Sequence, residues 1–157
     1  MLKFIGAVFI VAAGSFMGEL ATAKLRKREK QLTELLELVG CIELYLSAYS
    51  LSTEELFSFL ASKHGDYYSC FETSGADLTS EVSQKIRASS LEMKDELADH
   101  IAEFGRTTLD GQLKKTSMLR CIVSDALHSA GDIREKNTRL YRAAGFSFGL
   151  LTAMLLI

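Results

Sequence analysis

The sequence predicts an all-α protein, a compact antiparallel bundle of about six helices flanked by N- and C-terminal transmembrane helices. Three observations support this prediction. The 157 residues include no Pro, the residue that most strongly interrupts helices. Apolar side chains in the middle of the chain recur at helical spacing, without the period-two alternation that is typical of strands. The two longest apolar runs lie at the two ends of the sequence.

The N-terminal apolar run, residues 4–23, is long enough to cross a membrane as a helix. Such a helix spans about 30 Å, the thickness of a bilayer core. A cleaved signal peptide is the alternative, with Ala21-Thr22-Ala23 as its cleavage site. The basic residues that follow resist translocation, so we favour a retained span over residues 1–23. These basic residues are Lys24, Arg26, Lys27, Arg28 and Lys30.

The C-terminal run mirrors the first and predicts a second span over residues 140–157, with Arg142 near its start. Basic residues again lie on its inner flank: Arg134, Lys136, Arg139 and Arg142. Because short basic flanks mark the cytoplasmic face, residues 24–139 are predicted to form a cytoplasmic domain between the spans. A soluble protein with two buried core helices is the alternative.

Each predicted span carries a G-x-x-x-G pattern, formed by Gly14 with Gly18 and by Gly145 with Gly149. This spacing lets membrane helices approach closely, and the two patterns lie at matching depth. We therefore expect the spans to pack together, or against equivalent helices of a homo-oligomer. Glu19 lies near the depth of Arg142, and an ion pair between them would offset the cost of a buried carboxylate.

The first bundle helix is predicted from an apolar stripe that continues out of the first span: Leu32, Leu35, Val39, Ile42, Leu46 and Tyr49. Ser52 and Glu55 form a capping box that opens a second helix, ending near Lys63. The pair His64-Gly65 then stops it.

Three shorter helices are expected next. Asp66 is predicted to cap a third helix, which Gly75 ends, and Ser80 to cap a fourth. Ser89 and Glu92 have the spacing of a second capping box, which would open a fifth helix.

The last helix is predicted to follow a junction at residues 105–112. Gly105 ends the preceding helix, Thr107 or Thr108 caps the next, and Gln112 bonds across the turn. This helix is expected to run into the second span without a break. Its predicted buried stripe consists of Leu109, Leu113, Leu119, Ile122, Val123, Ala126, Leu127, Ala130 and Ile133.

The net charge of −2 conceals a strong segregation of charge. Residues 24–30 carry +4 and residues 134–142 carry +3, whereas residues 31–133 hold eight basic and 17 acidic side chains, a charge of −9. Residues 24–30 and 134–142 together form what we call the basic base, which suits anionic lipid headgroups. Residues 31–133 form the acidic body, which suits a basic protein partner. The near-neutral total argues against nucleic acid as a partner.

No catalytic motif is evident, and neither an enzyme nor a cofactor is expected. Asp95, Asp99 and His100 lie close together on one helix, but a solvated surface explains them. Cys121 and His128 share a helix face, yet two ligands do not make a zinc site. The odd number of widely spaced cysteines predicts reduced thiols in the cytosol: Cys41, Cys70 and Cys121.

Residues 104–112, Phe-Gly-Arg-Thr-Thr-Leu-Asp-Gly-Gln, resemble a pattern of the stage III sporulation protein AB family, L-G-x-S/T-D-x-x-x-Q. Gly105, Thr107 and Gln112 match it, whereas Thr108 stands where the family has Asp. The ending from Leu140 through Gly145 and Gly149 to Ile157 is also similar to that of the family. Ser50 replaces a family Pro, and the family's Trp is missing.

The resemblance implies a non-enzymatic membrane platform, similar to the inner-membrane platform proteins of type II secretion and type IV pilus systems. It places the protein in the cell membrane, within the channel that links mother cell and forespore. The partners that it implies are other stage III sporulation channel proteins and a secretion-type ATPase on the mother-cell side. The competing reading is a membrane-anchored signalling or assembly adaptor unrelated to sporulation.

Overall fold

A computed structural model shows an all-α chain, which confirms the predicted class. It describes residues 2–48, 52–73, 75 and 77–156. For most positions before Thr22 and after Tyr141, the description covers the backbone alone. Five α-helices and one short 3-10 helix occur in the described part of the chain, one α-helix fewer than expected.

The chain divides into two units, one formed by Met1–Glu29 with His128–Ile157 and the other by Lys30–Leu127. Two long helices belong to both: α1, Leu2–Ala48, and α5, Leu109–Leu156. Neither helix is interrupted, which agrees with the absence of Pro. Within the residues that the structure describes, no helix combines the length and hydropathy that a bilayer crossing requires.

Helix α2, Thr53–Ala61, begins as predicted. The Ser52 hydroxyl accepts a hydrogen bond from the backbone N–H of Glu55 at 3.3 Å, and the Glu55 carboxylate accepts one from the N–H of Ser52 at 3.2 Å. This reciprocal pair is the predicted capping box, which satisfies two otherwise free donors. The helix ends at Ala61, slightly before the predicted Lys63.

The predicted starts of the third and fourth helices are wrong. The third element is a 3-10 helix, Tyr68–Phe71, without a side-chain cap from Asp66, and it ends at Phe71, before the predicted Gly75. Helix α3, Leu78–Ala88, is capped by Asp77, whose carboxylate accepts a hydrogen bond from the Ser80 N–H at 3.2 Å. Ser80 thus lies inside the first turn, because the acidic residue three positions earlier takes the capping role.

The capping box predicted at Ser89 and Glu92 is also absent. Ser89 ends α3, and its hydroxyl donates to the Ile86 carbonyl at 2.6 Å. Helix α4, Lys94–Ala102, follows Met93, which adopts a left-handed backbone conformation with φ +51°. This conformation reverses the chain between α3 and α4, so the new helix begins later than the sequence pattern indicates.

The core of the unit Lys30–Leu127 forms where the short elements pack on one face of α1. Phe57 of α2 meets Phe71 edge to face, with ring centroids 5.2 Å apart. From α5, Leu119 and Val123 join this core. Among the described side chains of α1, five apolar ones are fully buried: Leu32, Leu35, Leu38, Val39 and Ile42.

The predicted stripe of α5 is only partly buried. Leu109 and Ile122 are both 46% exposed, and Ile133 is 41% exposed. The prediction that these three residues are buried is therefore wrong. A long helix that packs on one narrow face leaves neighbouring apolar positions at the edge of that face in solvent.

Glu34 ties the segment before the 3-10 helix to α1. Its carboxylate accepts a hydrogen bond from the backbone N–H of the fully buried Tyr67 at 2.7 Å. The Tyr67 hydroxyl donates to the Glu92 carbonyl, also at 2.7 Å. Burial, followed by the nearby charges of Glu92 and Glu34, raises the pKa of Tyr67, which keeps its phenol protonated as a donor. Gly65 fits beside this contact because a Cβ there would meet Glu34 and Tyr68.

We expect Glu34→Ala to lower the free energy of unfolding by about 1–3 kcal/mol, because it leaves the buried Tyr67 N–H without its acceptor. Glu37→Ala, which removes an exposed carboxylate from the same helix, is the matched control and should change stability by less than about 0.5 kcal/mol. Urea unfolding of the full chain in neutral detergent, followed by circular dichroism, measures both. Equal effects of the two substitutions would contradict a stabilising role for the hydrogen bond between Tyr67 and Glu34.

Candidate functional site

A groove of about 920 Å³ lies in the unit Lys30–Leu127, between the bundle portions of α1 and α5. Arg120 of α5 forms an ion pair with Glu43 of α1, with 2.7 Å between Nη1 and Oε2. Leu44 of α1 lines the same groove and is 58% exposed. The groove thus offers both an apolar surface and fixed charges to a binding partner.

The wall of this groove holds the ammonium group of Lys63 in a defined position. Its Nζ donates to Cys41 Sγ at 3.0 Å and lies 5.1 Å from the ring centroid of Phe59 and 5.7 Å from that of Tyr68. Aromatic faces stabilise a cation at these distances. Burial, then the charges of Cys41 and Glu37, raises the pKa of Tyr68 to about 12, so its phenol is neutral at physiological pH.

The junction between α4 and α5 brings together the residues that the sequence singled out. Gly105 has φ +79°, a left-handed conformation in which a side chain is strained. The Thr108 hydroxyl accepts a hydrogen bond from the Gly111 N–H at 3.3 Å, and the Gln112 amide donates to the Thr107 carbonyl at 3.2 Å. The two hydrogen bonds stabilise the start of α5, so the side chains of Thr108 and Gln112 have a structural role there.

His100 joins α4 to α5 just beyond this junction. Its Nε2 lies 3.1 Å from the hydroxyl oxygen of the fully buried Thr116, and that hydroxyl donates to the Gln112 carbonyl at 2.8 Å. Because the Thr116 proton is used in this way, the histidine Nε2–H is the donor to Thr116. Burial lowers the pKa of His100 and favours the neutral ring. Sequence alone gives no signal for this contact, since Thr116 belongs to no motif.

The two aspartates that the sequence groups with His100 lie apart from it, toward another partner or toward solvent. Asp99 forms an ion pair with Arg87 of α3, and Asp95 is exposed in the first turn of α4. His128 lies 3.6 Å from Asp132 on the surface of α5. Throughout the described ranges, no three His, Cys, Asp or Glu residues are grouped as a metal site requires.

Arg134 is half-buried, and the other basic flank residues whose side chains are described are exposed: Lys24, Arg26, Lys27, Arg28, Lys30, Lys136 and Arg139. The side chain of Arg142 lies outside the described residues, as does that of Glu19, so their predicted ion pair stays a prediction. The surroundings of the four span glycines are likewise not described: Gly14, Gly18, Gly145 and Gly149.

These features define an all-α protein in which two uninterrupted helices enter a small bundle from a second, helical unit. A family model described as stage III sporulation protein AB matches residues 3–157, essentially the whole chain. The chain therefore belongs to this family and is a stage III sporulation protein. No curated protein and no solved structure is similar enough to count as a match.

Gly105→Ala should lower the free energy of unfolding by about 1–2 kcal/mol, because an L side chain is strained at this positive φ. The matched control is Gly40→Ala in the interior of α1, where nothing lies within 4 Å of the added Cβ. This control should raise stability by about 0.5–1 kcal/mol. Urea denaturation of the full chain measures both, and a stabilising Gly105→Ala would contradict the assigned junction geometry.

The stability of the protein should decrease as pH falls below the ordinary histidine pKa of 6.5. Because burial lowers the pKa of His100 from 6.5, the unfolded chain takes up a proton at higher pH than the folded chain does. Stability from the neutral ring is therefore present above the unfolded pKa and lost as pH falls toward the folded value. Urea unfolding at several pH values should show this slope, and His100→Gln should reduce it. An unchanged slope in His100→Gln would contradict the assignment.

Proposed function

We propose that the protein is a non-enzymatic platform component of the stage III channel between mother cell and forespore. In this proposal both terminal segments anchor it in the cell membrane, and its helical bundle docks a secretion-type ATPase on the mother-cell side. The observation that carries the proposal is the family match over residues 3–157. A signalling or assembly adaptor with the same anchoring is the alternative.

Support for the membrane placement comes from the sequence of the two ends. Residues 4–23 carry a single charge, and residues 143–157 carry none. Large apolar side chains that the structure describes in these helices face solvent, with Phe16 63%, Leu151 61% and Met154 75% exposed. Such exposure is costly in water and favourable in contact with lipid or with another apolar surface. The basic flanks orient the bundle toward the cytoplasm.

Support for ATPase docking comes from the charge of the bundle. The −9 carried by residues 31–133 is repelled by an anionic membrane surface and attracts a basic partner. Exposed carboxylates lie in the first turns of two short helices, Glu54 in α2 and Asp95 with Glu96 in α4. Long-range attraction of this kind accelerates encounter and weakens as salt is added.

The two long helices suit a component that connects a motor to a channel. Helices α1 and α5 each continue from the terminal unit into the bundle without interruption. An α-helix is hydrogen-bonded along its whole length and transmits displacement better than a flexible linker does. In the proposed platform, a movement of the docked ATPase would therefore reach the membrane segments through these helices.

Neutralising the three exposed carboxylates should weaken ATPase binding. We expect Glu54→Gln, Asp95→Asn and Glu96→Gln together to raise the dissociation constant by about tenfold and to reduce its salt dependence. Lys24→Gln with Lys27→Gln, which alters the basic base only, is the control and should leave binding unchanged. Titration of the purified ATPase onto the full chain in neutral nanodiscs, over a range of salt concentrations, measures both. Absent or salt-insensitive binding would contradict the electrostatic docking.

Cellular experiments separate the proposal from the adaptor alternative. A sporulation component should be absent from vegetative cells and appear during engulfment, whereas a general adaptor should be present throughout growth. Affinity purification from sporulating membranes should then recover stage III channel proteins together with the ATPase. Constitutive expression with unrelated signalling partners would favour the adaptor.

A further inference from the structure

A cavity of about 630 Å³ in the unit formed by Met1–Glu29 and His128–Ile157 is lined by arginines from two helices. Arg26 comes from α1. The lining residues of α5 are Gly131, Arg134, Glu135, Thr138 and Arg139. Their spacing of three and four places them on one helical face. The cavity is therefore a concave, basic surface shared by α1 and α5.

The guanidinium groups around this cavity keep hydrogen-bonding capacity for a ligand. Arg134 pairs with Glu29 at 2.6 Å, and Arg139 pairs with Glu135 at 2.7 Å. A guanidinium has five N–H donors, and one carboxylate occupies at most two of them. Arg26 is exposed, and no described carboxylate forms an ion pair with it. The lining holds three arginines and the carboxylate of Glu135, and Glu29 adds a second carboxylate through its ion pair with Arg134, so the net charge around the cavity is +1.

The cavity also has open space beside Gly131 and an uncharged hydrogen-bond donor in Thr138. An added Cβ at Gly131 would have nothing within 4 Å, so the helix backbone there is open to a ligand. Thr138 supplies a half-buried hydroxyl. Several guanidinium groups with a hydroxyl around an open space match the tetrahedral oxygens of a phosphate group, to which arginine donates in bidentate fashion.

Apolar side chains follow the basic ones directly along α5. Leu140 is 65% exposed and Tyr141 is 43% exposed, immediately after Arg139. Arg26 similarly lies just beyond the apolar residues 4–23. The ligand that fits both parts is an amphiphile, with an anionic phosphate group on the arginines and an acyl chain along the apolar positions.

We propose that this cavity binds the phosphate headgroup of an anionic phospholipid. The lipid source rests on the membrane placement in the proposed function, whereas the phosphate chemistry rests on the arginines and the Thr138 hydroxyl. Binding of such a lipid would neutralise the basic face that α1 and α5 share and would link their positions to the membrane surface.

The test measures binding of short-chain phosphatidic acid, short-chain phosphatidylcholine and inorganic phosphate to the full chain in neutral detergent, by calorimetry. Phosphatidic acid should bind more tightly than either other probe. Arg26→Gln with Arg139→Gln should raise its dissociation constant by about tenfold or more, because two charge-assisted contacts are lost. The control, Lys27→Gln with Lys136→Gln, removes the same charge from exposed residues that do not line the cavity, and should change it by about twofold or less.

Three results would overturn the proposal. Equal weakening in the control pair would show diffuse attraction by the basic base and not a site. Equal affinity for phosphatidylcholine would remove the preference for an anionic lipid. Equal affinity for inorganic phosphate would assign the cavity to free phosphate. ATPase titration of the same variants separates the two proposals, because lipid binding should be weakened while ATPase docking is retained.

Discussion

Burial of one apolar face of α1 is the interaction on which the rest of the bundle depends. Helices α2, α3 and α4 have 9, 11 and 9 residues, lengths at which an isolated helix is marginal in water. They persist because Leu35, Ile42 and their neighbours on α1 provide a common surface that removes apolar area from water. Glu34 lies on the same helix and accepts a hydrogen bond from the backbone N–H of Tyr67. This bond fixes the position of the segment before the 3-10 helix on α1.

The all-α class and the uninterrupted α1 follow from the absence of Pro and from helical periodicity along the chain. The start of α2 at Ser52 and the left-handed Gly105 each follow from a few adjacent residues. Prediction fails where two local signals compete. Ser89 has the spacing of an N-cap but serves as the end of α3, because Met93 takes the unusual backbone conformation that redirects the chain. No propensity marks Met93 for that role.

In the candidate site too, contacts between near neighbours in sequence could be predicted, whereas contacts between separate helices could not. The hydrogen bond from Gln112 to Thr107 links near neighbours and could be foreseen from the junction pattern. The contact between His100 and Thr116, and the place of Lys63 between Cys41 and two aromatic rings, depend on packing between elements. The cavity at Arg26 likewise joins residues from the two ends of the sequence. The sequence predicted two basic flanks from their charge, but only the fold shows that arginines of both flanks line the same cavity.

The route of the chain through the bundle also bears on how it is made. Glu43 and Arg120 form an ion pair across 77 positions of sequence, and Leu119 and Val123 complete a core begun by α1. A ribosome therefore releases α1 and the three short helices before the segment that covers their remaining apolar surface. Early chains would carry that surface uncovered, which invites aggregation and favours assistance by chaperones. Assembly of the bundle is thus a late event in synthesis, timed by the emergence of α5.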